Sequence, residues 1–407
     1  MAELKLTPNA KVGWRLTPYE YFFAAAGTSG NGHAPMNVTF VLQGDTPGFD
    51  TDVWQRALDR ASAANSGSRL RIKGALFWAQ WTDDGAPPRL RVVEEILWDG
   101  SGKTNSDFIN AEQLDLIEGP AAELILVKRS PIGSLVVFRA SHAVMDGMGA
   151  YHFLSELFRA LRGEPLMGSN AEFSALDIMR KVAPPKPSKH DRRIDWPTGD
   201  ARGNDTTIES RTVVIEGSTS NIVGRLAAAI AEYTHRHSSR DALIAVPVDL
   251  RRHVPGILST ANYTGMLFVP MKKGEGPDEF RQKLRALLSE KKEAYHIRMA
   301  SILKLIPFKW LDRIMDKGGR KKLLTSPMHT AMVSKVGHVD RDQFSFDGFQ
   351  LRRYFGFGNH PGMVGVMGTD AGIELNINLP AAVASNGRFD DFVSYLRRRL
   401  VETDPGQ

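Results

Sequence analysis

The sequence predicts an α/β (α+β) protein in two halves, the second repeating the strand–helix alternation of the first with no sequence repeat between them. Strand-like and helix-like apolar patterns alternate along the whole chain. A charged stretch with four prolines and no periodicity, 182–205, interrupts that alternation near the middle. At 407 residues the chain is also long for one small domain, and two units of about 150–200 residues each are the natural division. The expected boundaries are an N-terminal subdomain over 1–181, a linker or crossover over 182–205 and a C-terminal subdomain over 206–407.

In chain order, Val38 to Gln43 reads as a strand, and Trp54, Leu58 and Ala61 repeat at helical spacing after the capping residues Asp50-Thr51-Asp52. The apolar run Ala75 to Ala79 has strand length, and Leu90-Arg91-Val92 alternates. Leu124 to Val127 and Leu135 to Phe138 are joined by a connector holding Pro131 and Gly133, the pattern of a hairpin. Met148, Tyr151, Leu154, Leu157, Phe158 and Leu161 share one helical face, stopped by Arg162-Gly163-Glu164-Pro165. In the second half, Thr212 to Ile215, Leu243 to Val248, Thr330 to Val336 and Ile373 to Ile377 read as strands. Helical spacing recurs at 222–230, 280–288 and 389–400.

Composition narrows the function. There are no cysteines, which excludes disulfides, thiolate metal sites and a cysteine nucleophile and fits a cytoplasmic protein. No run of about 18 apolar residues suggests a membrane span, and the N-terminus lacks the pattern of a secretory signal. The eleven histidines form no HExxH pattern, so no metal is expected, and no phosphate-binding glycine fingerprint occurs. The net charge of +6 favours polyanionic partners. The densest basic run, Lys317 to Lys322, suits coenzyme A phosphate, an acidic carrier protein or plain solvent. It has no interleaved aromatics, so nucleic acid is not expected.

The stretch with the most chemical content is Ser141-His142-Ala143-Val144-Met145-Asp146-Gly147, between the apolar run 135–138 and the helix that follows. A strand end followed by a turn can present one imidazole to a channel, and a neutral imidazole accepts a proton near pH 7. Asp146 either orients that ring or turns away and locks the loop through an arginine, and Gly147 permits a sharp turn. The plain alternative is a satisfied loop histidine. His253, His338 and His360 read as surface or turn residues, with channel lining the functional reading for His360 in Asn359-His360-Pro361-Gly362.

His142-Ala143-Val144-Met145-Asp146-Gly147 resembles the HxxxDG signature of the chloramphenicol acetyltransferase-like superfamily. That group includes peptide-synthetase condensation domains, BAHD acyltransferases, wax ester synthases and polyketide-associated acyltransferases. Val246-Pro247-Val248-Asp249-Leu250-Arg251 resembles the second-half strand ending in arginine. Asn262-Tyr263-Thr264-Gly265 resembles an Asn-x-x-Gly segment, and Val333-Ser334-Lys335-Val336-Gly337 a Ser-Asn-x-Gly motif with Lys335 in place of asparagine. The resemblance implies two subdomains in a V with a channel between them. His142 is then the catalytic base, and Asp146, Gly147 and Arg251 brace its loop. Ser141, Asn262, Ser334, Lys335 and His360 are candidate channel residues, and Phe355, Phe357, Met363 and Met367 line a tunnel or pack a core.

The implied activity is acyl transfer from a coenzyme A or carrier-protein thioester to a small-molecule alcohol or amine, by a monomer, in secondary metabolism. Acyl-CoA or a phosphopantetheinyl thioester is the co-substrate, with no covalently bound cofactor. Two departures stand out. Condensation domains carry a histidine where Ser141 stands, and Tyr354-Phe355-Gly356-Phe357-Gly358 lacks the aspartate of the BAHD DFGWG segment. Ser141 and Lys335 leave room for a non-catalytic carrier-binding protein on the same scaffold. A cyclisation or dehydration catalyst is a third reading.

Overall fold

The apolar runs at 124–127 and 135–138 form the expected hairpin, which is central to the first of two large sheets. The computed structural model describes residues 4–28, 35–186, 193–216, 220–296, 298–358, 360–369 and 372–402. The linker part 187–192 and Asn359 lie outside the described residues, as does the side chain of His338.

The strands in chain order are β1 (Asn37–Asp45), β2 (Arg71–Lys73), β3 (Gln80–Thr82), β4 (Arg89–Glu95), β5 (Ala122–Arg129), β6 (Ser134–Ser141), β7 (Ile208–Ile215), β8 (Ala242–Asp249), β9 (Thr264–Met271), β10 (Ala331–His338), β11 (Gln350–Gly356), β12 (Met363–Thr369) and β13 (Gly372–Pro380). The helices are α1 (Pro18–Ala25), α2 (Thr51–Ala64), α3 (Gly147–Leu161), α4 (Ala175–Val182), α5 (Ile222–Thr234), α6 (Pro277–Ser289), α7 (Phe308–Ile314), α8 (Arg320–Thr325), α9 (Ala381–Ala384) and α10 (Arg388–Glu402). Among the described residues no helix is long and apolar enough to cross a membrane.

The first sheet has the order β11-β1-β6-β5-β4 and the second β7-β13-β12-β10-β8-β9. Helices α2 and α3 cover one face of the first sheet, where Trp54, Leu58, Phe153, Leu157 and Phe158 are buried. Trp98, Ile109, Phe355 and Phe357 cover Val41, Ile125, Val127, Leu135 and Val137 on the other face. With both faces covered, the centres of β5 and β6 at 124–127 and 135–138 carry unbroken apolar runs rather than alternation, and the buried Glu123 and Arg139 beside them pair at 2.7 Å. Each large side chain so buried contributes roughly 1.5–3 kcal/mol. The second sheet packs Val364, Leu375 and Ile377 against Leu226, Ile230, Phe392 and Leu396 of α5 and α10.

Three expectations need correction. Ala75 to Ala79 is not a strand: Leu76–Trp78 forms a 3-10 turn, since Gly74 and Leu76 both adopt positive φ (79° and 54°), incompatible with extended pairing. The 182–205 division does not separate the sheets, because β11 from the second half hydrogen-bonds to β1, with Phe40 opposite Gly356. That strand occupies an edge of β1 whose backbone groups would otherwise lack partners. Nor is all of 182–205 a free linker. Trp196 is buried in the second core, its Nε1 donating to the Leu324 carbonyl at 3.1 Å, and Thr198 Oγ1 donates to the Val383 carbonyl at 2.7 Å.

Candidate active site

His142 is the first residue beyond β6, the central strand of the first sheet. Its backbone N–H donates to the Met36 carbonyl at 2.8 Å. The amides of Val144 and Met145 both donate to the Ser141 carbonyl (2.9 and 3.0 Å), closing a tight turn. Ser141 itself is buried and its Oγ accepts from the Ala143 amide, so it serves the turn and does not line the channel.

Asp146 caps α3, its Oδ1 accepting from the Gly149 amide at 2.6 Å. The same carboxylate receives Arg251 through two bonds, Nη1 to Oδ2 at 3.1 Å and Nη2 to Oδ1 at 3.2 Å. The Tyr263 amide (2.8 Å) and Thr264 Oγ1 (3.0 Å) also donate to Oδ2. Burial alone would raise the Asp146 pKa, but the charge and hydrogen bonds of Arg251, with the Gly149 and Tyr263 amides, hold it below the usual carboxylate range. Arg251 also donates to the Ser259 and Ala261 carbonyls and to Asp249. Asp146 therefore has no bond to the His142 ring. It ties the histidine loop to the second half.

Asn262 reaches the ring instead. Its Nδ2 lies 2.8 Å from the His142 carbonyl oxygen and 3.1 Å from Nδ1, and its Oδ1 accepts from the Thr264 amide at 3.2 Å. Phe23 of α1 stacks on the other side, with centroids 4.5 Å apart and planes within 8° of parallel. The imidazole is thus held by one amide and one aromatic face. Burial lowers its pKa, offset in part by the carbonyls of His142 and Met145 and by the charge of Asp146, so the ring is neutral at pH 7.

The ring faces a cavity of about 1060 Å³ between the two subdomains. The first half contributes Phe23, Phe40 and Gly147, and the second Asn262, Ser334 and His360. Its walls are largely apolar. Phe355, Phe357, Met363 and Met367 all line it, joining tunnel and core in one surface. His360 Nδ1 donates to the Pro361 carbonyl at 3.0 Å, which leaves Nε2 as the acceptor nitrogen of the neutral ring. Burial, with the nearby His142 ring, lowers its pKa to about 4.

The remaining candidates fall outside this cavity or differ in role. Lys335 is exposed and does not line it, because period-two alternation along β10 turns Ser334 and Val336 inward and Lys335 outward. His253 is not a free surface side chain, since its Nε2 lies 3.0 Å from buried Glu293. Gly147 does not occupy a positive-φ conformation. The glycine that the geometry demands is Gly149, where a Cβ would sit 2.1 Å from the Thr260 carbonyl oxygen. Sequence reasoning missed Gly149, Phe23 and the Asn262 bond to the ring. Only the spacing of Gly149 within the same short motif could have flagged the first. No metal-binding cluster of histidine and carboxylate occurs among the described residues.

Comparison with solved structures gives the fold the same shape. The condensation domain of the monacolin K polyketide synthase MokA matches with a TM-score of 0.63 at 11% identity, over 97% of this chain and 99% of that one. The starter condensation domain of the rhizomide synthetase RzmA, in a variant in complex with C8-CoA, matches at 0.61 and 14% identity, over 96% and 95%. The epimerization domain TycB3(E) of tyrocidine synthetase B matches at 0.55 and 15% identity, over 98% of both chains. The chain therefore has the two-subdomain condensation-domain fold. No family model matches the sequence, and no curated protein matches it.

Proposed function

We propose that this protein is an acyltransferase that moves an acyl group from a coenzyme A or carrier-protein thioester to an alcohol or amine. The observation that carries the proposal is the neutral His142 ring, clamped by Asn262 and Phe23 and open to an apolar cavity between the subdomains. A neutral imidazole has one acceptor nitrogen, and that nitrogen takes the hydroxyl or amine proton as the nucleophile attacks the thioester carbonyl. Collapse of the tetrahedral intermediate breaks the C–S bond, and the imidazolium returns its proton to the departing thiolate. Gly147, at the N-terminus of α3 and on the cavity wall, brings the positive end of a helix dipole near the developing oxyanion.

The complex of a like-folded starter condensation domain with C8-CoA supports a thioester donor. The apolar walls support an acyl chain or acceptor with substantial hydrocarbon. The two residues that favoured a non-catalytic scaffold, Ser141 and Lys335, both lie away from the cavity. The test is to supply acyl-CoA donors of increasing chain length with a panel of alcohols and amines, following thiol release and product mass together. Ester or amide formation dependent on the protein supports the proposal. A stable, unreacted complex with every donor tested contradicts it.

A further inference from the structure

A surface beside the cavity is both apolar and basic. Ile302, Leu305, Trp310 and Ile314 are 53%, 56%, 61% and 56% exposed, an unusual density of large apolar side chains over so few residues. They fall in two pairs, each on one exposed side of its own element. Ile302 and Leu305 are three apart in a 3-10 segment, and Trp310 and Ile314 four apart on α7. The inward side is fixed to the first subdomain. Lys304 Nζ donates to the Leu16 carbonyl at 2.7 Å, Phe308 packs on Tyr21 with centroids 4.4 Å apart, and Asp312 Oδ1 accepts from the Gly27 amide at 3.0 Å. The apolar side chains are thus held outward by a rigid base.

Cations accompany them. Between 309 and 322 the sequence carries six basic and two acidic residues. Lys309, Arg313, Lys321 and Lys322 are exposed, and the Arg313 guanidinium lies 5.9 Å from the Trp310 ring centroid. The same region borders the cavity: Ala300, Leu303 and Met328 line it, and Met328 is 68% exposed, which marks a mouth.

We infer that this surface docks on an anionic lipid bilayer. Apolar side chains on helical turns, one of them tryptophan, with lysine and arginine alongside, match the layering of a membrane interface, where acyl chains, headgroups and water succeed one another. Charge complementarity selects anionic headgroups. The cavity mouth then faces the bilayer, so the acyl chain or acceptor enters from lipid. That last consequence rests on the proposed acyl transfer. Docking does not, and it is measured without turnover.

The test is flotation of the full chain with phosphatidylcholine vesicles, with and without phosphatidylserine. The wild type is expected to float with the anionic vesicles, stay behind with neutral ones, and be released by raised salt. Trp310→Ala with Ile314→Ala is expected to weaken anionic binding by about tenfold or more. Lys321→Glu with Lys322→Glu is expected to do at least as much, at about fivefold per cation removed. Both pairs are exposed, so thermal unfolding should match wild type. A wild type that ignores anionic vesicles overturns the inference, as do variants that float as well as wild type. Capture of an acidic acyl carrier protein, lost in these variants while vesicles go unbound, overturns it in favour of a protein partner.

Discussion

Asp146 and Arg251 lie 105 residues apart in sequence and meet through two parallel hydrogen bonds of 3.1 and 3.2 Å. This pair fastens the turn carrying His142 to the loop carrying Asn262, and so sets the geometry of the cleft. Both side chains are largely enclosed, and removing Asp146 leaves Arg251 with Asp249 alone of its two carboxylates and strips the Gly149 and Tyr263 amides and the Thr264 hydroxyl of their acceptor. Asp146→Ala is expected to lower stability by about 3–5 kcal/mol, well beyond an exposed aspartate such as Asp59. Chemical denaturation measures it. A variant that unfolds like wild type but is inactive would return Asp146 to a direct catalytic role.

Under the proposed acyl transfer, Asn262 acts through His142. Asn262→Ala removes the Nδ2 contacts to the ring and to its carbonyl. The expected result is a fall of about 10- to 100-fold in kcat with KM little changed, and a stability loss of only about 1 kcal/mol. An equal effect on KM alone would mean that Asn262 binds substrate rather than positioning the ring.

The two glycines of the loop should behave differently. Gly149→Ala drives a Cβ into the Thr260 carbonyl, with backbone on both sides and no flexible side chain to move. A destabilisation of about 1–3 kcal/mol or more is expected. Gly147→Ala meets only Val336 at 3.4 Å and Phe40 at 4.0 Å and should fold normally. Melting temperatures of the two variants make the comparison.

Glu20 gives the protein a specific pH signature. Its carboxyl accepts from the Thr17 amide at 2.6 Å and from Trp14 Nε1 at 3.2 Å, yet burial dominates and raises its pKa to about 7. A folded pKa above the unfolded 4.5 contributes stability that is complete below pH 4.5 and is lost as pH rises through 7, about 3 kcal/mol in all. His142, His329 and His360 have the opposite sign. Their lowered pKa values contribute stability present above pH 6.5 and lost as pH falls toward about 4 and 3 for His360 and His329. Glu20→Gln can keep the Thr17 cap through its amide oxygen but sets its NH2 against Trp14 Nε1, so it removes the first effect at the cost of one hydrogen bond at every pH. Its melting temperature relative to wild type should therefore rise between pH 4.5 and pH 8. Equal differences at both pH values would contradict the assignment.

How much of this was legible in the sequence depends on range. The His142–Asp146 loop was readable because its chemistry lies within one short motif between a buried strand and a helix. The hairpin of β5 and β6 was readable because two-sided burial demands uninterrupted apolar runs. Arg251 and Asn262 came from resemblance rather than from pattern, since no local periodicity joins residues more than 100 positions away. Phe23 stayed invisible because an aromatic residue on a short apolar helix reads as core; only the approach of α1 to the loop gives it a ring to stack on. The return of β11 to the first sheet was hidden for the same reason, as an alternating strand does not state which edge it joins. Lys335 was a matter of phase: one residue along β10 decides between cavity and solvent.

The central claim is that the His142 ring takes the acceptor's proton. The direct measurement is single-turnover acyl transfer by His142→Ala and by wild type across pH, with circular dichroism on both. The expected result is a loss of about 10²- to 10⁴-fold with an unchanged fold, and a wild-type rate that rises with pH through a value below 6.5, the ordinary histidine pKa that burial depresses. A folded His142→Ala protein that transfers acyl groups at the wild-type rate would contradict it.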